Sequence, residues 1–393
     1  MSGQTQQHRL ITDPWLVAVS IILLSVGIVI LASASLGVAQ QSYQDPFFYV
    51  VRQAIYALIG LIAAMLVIRI RMDFWQRMAN PLVVLSVVLL VAVLIPGIGK
   101  EVKGSSRWID LGLINLQVSE LVKLFVIIYF AAFLCKKAHE VNLSIKNLAK
   151  ALSPLVIIAV LLVIEPDLGA TAVIVGTVIG LFFIAGVRLG YFGMLFMSAL
   201  AGLVAMILIS PYRFERVSTF LHACDPANYY GYGYQLCHAL IAFSRGEWLG
   251  VGLGSGVQKE FYLPEAHTDF LLAILGEELG AIGTLLVIIL FSILFFRAFS
   301  IARKAEQNHK YFSALVGYGI AFWLGLQSLV NIGVNMGVLP TKGITLPLVS
   351  YGGSSVVMTC IAIAILLRIS YETASINSAE KNQGGAQWQA RAS

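Results

Sequence analysis

Apolar runs of close to twenty residues recur along the chain, parted by short polar or glycine-bearing joints. A run of that length is what an α-helix needs to cross the ~30 Å hydrocarbon core of a bilayer. About ten such runs can be counted, beginning near Pro14, Val50, Ala79, Gln117, Ala151, Leu168, Gly190, Phe270, Tyr311 and Leu346. The pattern predicts an all-α, polytopic membrane bundle of about ten transmembrane helices. The run ahead of Glu165 is short, so the fifth and sixth spans read either as two crossings or as one re-entrant pair. Residues 211–269 are the one long polar stretch and predict a single large extracytoplasmic loop. Residues 1–13 and 371–393 are polar and rich in Ser, Gln, Asn and Ala, and are expected as disordered cytoplasmic tails around a transmembrane domain at 14–370.

Composition fits that class, with 59% hydrophobic and 12% charged residues. The formal net charge of +6 comes from cations gathered in alternate connections. Arg69, Arg71 and Arg77 form one group, Lys136, Lys137, Lys146 and Lys150 a second, and Arg297, Arg303, Lys304 and Lys310 a third. Excess Lys and Arg marks the cytoplasmic side, which puts both termini inside and the large loop outside. The charge therefore reports topology and gives no case for nucleic acid. Lys100, Lys103 and Arg107 oppose the bias by lying in an outer connection. Either they are plain surface charges or they serve an anionic ligand.

Within 211–269, Tyr234, Leu236, Ala239, Leu240 and Phe243 alternate with Gln235, His238 and Arg245, which predicts a short amphipathic helix lying on the membrane surface. Residues 246–256 hold five glycines, the mark of a mobile or tightly turning segment. Cys224 and Cys237 share the loop and would bridge in an oxidising compartment or remain free thiols. Cys135 and Cys360, by contrast, read as small apolar packing residues. Ala32-Ser33-Ala34 has the look of a signal-peptidase site, but the run before it is long for that and the basic segment thin.

Ionisable groups near hydrocarbon are costly and mark function. Asp269 stands where the loop meets the next span. Ala273, Gly276 and Gly280 continue on its helix face, offering either a lipid seat or a close helix contact, and Asp269 itself suits a helix N-cap. Glu265, His267 and Asp269 alternate, so an extended segment would aim all three one way as a weak metal site. Gln117, Glu120 and Lys123 step along one face of the fourth span, Glu120 one turn from Lys123. Glu165-Pro166-Asp167 breaks the chain between two spans, as cavity-lining helices are broken. Gln327, Asn331 and Asn335 give the ninth span a polar stripe suited to interhelical hydrogen bonds. Residues 350–355 (Ser-Tyr-Gly-Gly-Ser-Ser) form a flexible entry to the tenth.

In order, Gly104-Ser105-Ser106-Arg107-Trp108-Ile109, Gln117 to Lys123, Glu165-Pro166-Asp167-Leu168-Gly169, the segment from Leu263 to Gly280 and that from Asn331 to Ser355 resemble the signatures of the SEDS proteins (shape, elongation, division, sporulation). The resemblance covers nearly the whole chain, and the large loop is closer to the division branch than to the elongation branch. It departs at Val118, where the family usually has proline, and around Cys224 and Cys237.

What the resemblance implies is a ten-span peptidoglycan glycosyltransferase of the bacterial inner membrane, at the division septum. It would polymerise lipid II into lipid-linked glycan, working with a class B penicillin-binding transpeptidase and other divisome proteins. The family's essential acid maps onto Asp269. Arg107, Glu120 and Lys123 map onto its cavity residues, and Trp108, Glu165, Asp167 and His267 join them as expected substrate-binding residues. The chemistry is an alcohol attacking an anomeric carbon that carries a diphosphate, an inverting single displacement. Asp269 would take the proton as general base. Arg107 and Lys123, the latter oriented by Glu120, would steady the departing diphosphate, with or without a divalent cation such as Mg2+ or Mn2+. The rival reading is a transporter that carries the same lipid-linked precursor without chemistry, and a scaffold for the transpeptidase is a third.

Overall fold

The computed structural model describes residues 13–392 apart from 103–104, 111 and 113–114, and gives the backbone alone for 101–102, 105–106 and 376–392. The N-terminal tail up to residue 12, Lys103 and Gly104 thus lie outside the described residues. Helices α1 (Pro14–Tyr43), α2 (Phe48–Val67) and α3 (Met72–Leu94) come first. A small antiparallel sheet follows, with strands β1 (Gly99–Val102), β2 (Ser105–Asp110) and β3 (Asn115–Gln117) in that order. Then come α4 (Val118–Leu143), α5 (Ile145–Ile164), α6 (Leu168–Ile184) and α7 (Leu189–Ile209). The large loop carries α8 (Pro211–Ser218), α9 (Pro226–Tyr229) and α10 (Tyr234–Gly246). The chain closes with α11 (Leu271–Gln307), α12 (Tyr311–Asn335) and α13 (Gly353–Ala392).

Among the described residues nine helices are long and apolar enough to cross a membrane, and α6 is a shorter apolar helix beside them. That matches the expected ten runs. It also resolves the fifth and sixth as two separate helices, since α5 alone has 20 residues. Helices α4 and α12, with the apolar part of α13, form the centre, each 72% buried over its apolar window. Helix α7 stands at the other extreme at 0%. Most of its apolar surface faces outward, with Leu195 buried against the bundle, as suits a helix at the lipid-facing edge.

Two expectations are corrected here. The polar segment after residue 370 continues α13 as helix to Ala392 rather than forming a disordered tail. Its Ala, Glu, Gln, Lys and Arg are strong helix formers, and Arg368 bridges Glu372 one turn on at 2.8 Å. The connection holding Arg107 is a β-sheet rather than a plain solvated loop, with Trp108 opposite Lys100 on one side and Gln117 on the other.

The large loop is tied down at a break in α11. Gly280 adopts φ 68°, ψ −167°, which interrupts the helical hydrogen-bond ladder. Loop backbone takes over the freed groups. Val251 N and Gly252 N donate to the Glu277 and Glu278 carbonyls at 3.0 and 3.1 Å, and Ala281 N and Ile282 N donate to Glu247 O and Trp248 O at 2.8 and 3.2 Å. Backbone meets backbone so closely that a Cβ on Gly280 would lie 2.4 Å from Gly250 N. Glycine is required there both for the positive φ and for the approach. Of the two readings of 246–256, mobile or tightly turning, the structure bears out the second, with positive φ at Gly250, Gly252 and Gly254.

The face of α10 predicted for the membrane surface packs instead on α11, burying Leu236, Ala239 and Ala242. Phe243 lies at Gly276, so the small-residue stripe below Asp269 seats a helix and no lipid chain. Cys224 and Cys237 are disulfide-bonded and tether α10 to the segment ahead of it.

Candidate active site

A cavity of about 550 Å3 opens among α4, α6, α12, the sheet and the large loop. Asp269, Arg107, Trp108, Glu120, Lys123 and Asp167 all line it. Residues more than 150 positions apart thus converge as the sequence reading required.

Lys123 sits at the floor, 4% exposed. Its Nζ donates to Glu120 Oε1 at 2.8 Å and to Gln327 Oε1 at 2.7 Å, and it lies 5.1 Å from the Trp323 ring centre. An ammonium at this depth is tolerated because it is paired and hydrogen-bonded. Arg107 reaches across from β2 to the α5–α6 break, where its Nε and Nη2 donate to the Glu165 and Pro166 carbonyls at 3.2 and 2.8 Å. Asp167 caps α6 through Ala170 N at 3.1 Å and accepts from Ser119 Oγ at 2.9 Å. Lys100 does not join these groups, pairing at the surface with Asp110 at 2.8 Å.

Asp269 is placed by the polar stripe of α12. Asn331 Nδ2 and Asn335 Nδ2 donate to its carbonyl at 3.0 and 2.9 Å, while Asn335 Oδ1 accepts from Ala273 N at 3.1 Å. The expected interhelical glue is therefore a cradle for the Asp269 backbone. Asp269 Oδ2 sits against Gly343, where a Cβ would come within 3.0 Å. The expected N-cap role falls to Phe270, with no side-chain cap bond.

Three expected site residues are placed differently. Residues 264–270 form turns instead of an extended segment, with Glu265 at φ 58°, and this leaves Glu265 and Asp269 on the cavity and His267 off it. No group of three or more metal-type ligands occurs among the described residues. The His267 ring packs on Tyr49 with centroids 4.4 Å apart, and its carbonyl accepts from Tyr351 N, so it braces the wall without lining the cavity. Glu165 also lies behind the wall, 1% exposed, with both carboxylate oxygens lacking a partner.

Burial, reinforced by the Asp167 charge and opposed by Arg107, pushes the Glu165 carboxyl up to about 8 from an ordinary 4.5. The folded state therefore holds a proton that the unfolded chain releases. Stability is full below the unfolded value and is lost as pH rises through the folded one. Glu165→Gln is expected to flatten the fall in thermal midpoint between about pH 5 and about pH 8. A slope equal to that of the unaltered protein would refute this assignment.

Sequence reasoning missed a buried clamp behind Asp269. Glu277 accepts from Arg245 Nη1 at 3.0 Å, Val257 N at 2.9 Å and Gln258 N at 3.1 Å. Glu278 accepts from Lys259 Nζ and from Ser33 Oγ, each at 2.6 Å. Both glutamates are fully buried. The signal was present as paired acids inside an apolar run, where an ionised group demands a partner. Arg52, Arg216 and Lys342 also line the cavity, and nothing in the sequence singled them out.

A bundle of apolar helices with a deep polar cavity, acids at its loop end and a paired lysine at its floor defines a polytopic membrane protein built to act on a charged, lipid-borne molecule. Residues 14–375 match the family of cell cycle proteins that takes in FtsW, RodA and SpoVE, and the chain belongs to that family. It is 47% identical over 361 residues to a protein of Legionella pneumophila named probable peptidoglycan glycosyltransferase FtsW, covering 92% of this chain and 91% of that one. Proteins of the same name from Methylococcus capsulatus (49% over 366 residues, 93% of this chain and 91% of that one) and Coxiella burnetii (48% over 361 residues, 92% and 96%) are similarly close. Among solved structures, a chain from a study of polymerisation and crosslinking by a peptidoglycan synthase complex superposes with TM-score 0.71 at 27% identity, covering 92% of this chain and 98% of that one. Thermus thermophilus rod shape determining protein RodA gives 0.68 at 25%, covering 92% and 97%.

Proposed function

We propose that this chain is a peptidoglycan glycosyltransferase that joins lipid-linked disaccharides into glycan strands. The observation that carries the mechanism is the convergence of Asp269, Arg107 and Lys123 on one cavity. Asp269 takes the proton from the attacking sugar hydroxyl as the new glycosidic bond forms. The anomeric carbon inverts and the diphosphate leaves with the bonding electron pair. Arg107 and Lys123 stabilise the charge gathering on that group, and Glu120 with Gln327 fixes where Lys123 points. Asp167 shapes the wall beside Arg107. Among the described residues no three metal-type ligands gather, so Arg107 and Lys123 carry the diphosphate charge that a divalent cation would otherwise share.

The loop end of the bundle faces the cell exterior on this reading, with both termini in the cytoplasm, in keeping with the cation-rich connections at the opposite end. Likeness to a chain from a peptidoglycan synthase complex and to the FtsW relatives supports a place at the septum beside a class B penicillin-binding transpeptidase. The purified chain, reconstituted with labelled lipid II, is expected to give a ladder of glycan lengths. Movement of intact precursor between leaflets without a ladder would instead establish the transporter.

A further inference from the structure

In a single displacement the entering hydroxyl and the departing diphosphate stand on opposite sides of one anomeric carbon. The base and the cation that serve them must therefore keep a fixed separation. Asp269 stands at the head of α11 and Lys123 lies within α4, and α12 packs against both helices. Two buried amides one turn apart on α12, Gln327 and Asn331, reach both groups.

Gln327 Oε1 accepts from Lys123 Nζ at 2.7 Å and from Trp323 Nε1 at 2.8 Å, while its Nε2 donates to Thr345 O at 3.0 Å. An ammonium and an indole N–H can only donate, so this amide has one possible orientation. Asn331 Nδ2 donates to Asp269 O at 3.0 Å and to Ile344 O at 2.6 Å, two carbonyls that can only accept. Each amide thus joins one member of the reacting pair to one further carbonyl, and those two carbonyls belong to neighbouring residues.

They lie in the 341–346 segment, which passes along the cavity without regular secondary structure on its way from α12 to α13. Both ends are pinned. Arg216 Nη1 donates to Thr341 O at 3.3 Å, and Leu346 N donates to Ser350 Oγ at 3.0 Å. The Ile344 side chain fills the space at Gly169 of α6, where a Cβ would come within 2.7 Å of it. Between the pins, Ile344 N donates to Lys342 O at 3.0 Å and closes a tight turn with Gly343 at its apex. That apex meets the base, since a Cβ on Gly343 would stand 3.0 Å from Asp269 Oδ2. The segment therefore touches Asp269 directly and Lys123 through one amide.

We infer that residues 341–346 are a spacing strap that sets the separation of Asp269 from Lys123. Gln327 and Asn331 are its positioning residues, and Gly343 is the point that aims the Asp269 carboxylate. The inference rests on the polymerase reading, because that reading gives the pair its task.

The test is Gly343→Ala in the full chain, reconstituted with labelled lipid II. It is expected to lower kcat about tenfold with KM unchanged, because the added methyl moves a carboxylate that acts in the transition state. The thermal midpoint should match that of the unaltered protein, since Gly343 lies open to the cavity. In the Asp269→Asn background the same change should cost nothing more, the displaced base being gone. Gln327→Leu cuts the strap from Lys123, and its loss should not multiply with that of Gly343→Ala, because both act on one spacing. A glycine that served packing alone would cost the same in every background. Gly343→Ala at the unaltered rate, or losses that multiply in either pairing, would overturn the strap. An unaltered chain that makes no glycan would instead remove the polymerase reading, and with it the task given to the strap.

Discussion

Asp269→Asn is expected to lower glycan polymerisation by about a hundred- to ten-thousandfold, the usual worth of a positioned general base. The amide has nearly the same shape, so the cavity should persist and substrate should still bind. Only the ability to accept the hydroxyl proton is lost. Asn331 and Asn335 hold the Asp269 carbonyl, and the amide keeps both of these backbone contacts. Asp269→Glu keeps the charge but pushes the carboxylate toward Gly343, where space is already tight. It should also be impaired, because misplacement by an ångström costs a positioned catalyst heavily. The measurement is glycan ladder formation from labelled lipid II in reconstituted membranes. An Asn variant that polymerises at the unaltered rate would remove Asp269 from the mechanism.

The largest effect on stability is expected at Lys259. Its Nζ bonds Glu278, Ser33 and the Gly254 carbonyl, so one ammonium joins the large loop to α1 and α11. Lys259→Met would leave the Glu278 carboxylate fully buried with Ser33 as its remaining donor. Stranding a buried charge in this way costs about 3–5 kcal/mol. A marked drop in the thermal unfolding midpoint of the detergent-solubilised protein is the expected readout. Adding Glu278→Gln removes the stranded charge and should recover much of the loss. Catalysis should suffer too, since the chain runs only ten residues from Lys259 to Asp269. Equal midpoints for Lys259→Met and the unaltered protein would show that the ion pair does not hold the loop.

The spans and the main cavity residues were legible because each follows from a local rule. An apolar run of fixed length has few alternatives in a bilayer, and Glu120 with Lys123 is a one-turn pair readable from spacing alone. What escaped depends on contacts between distant segments. Nothing in the spacing of the 246–256 glycines shows that they dock into a helix break at Gly280, because that break is visible only once the loop backbone supplies the missing hydrogen bonds. The alternation of Glu265, His267 and Asp269 suggested an extended segment, yet the chain turns there and leaves only Glu265 and Asp269 on the cavity. Arg216 and Lys342 went unnoticed because a separation of 126 positions hides that they share a wall.

Beneath Lys123 the bundle closes over Val126, Ile127 and Ile174, with a void too small for water among them. On the proposed mechanism, a proton taken up by Asp269 would then leave on the side from which the sugar came. Glycan elongation would draw its driving force from the diphosphate linkage it breaks. Collapse of the membrane's electrochemical gradient would leave each turnover thermodynamically untouched.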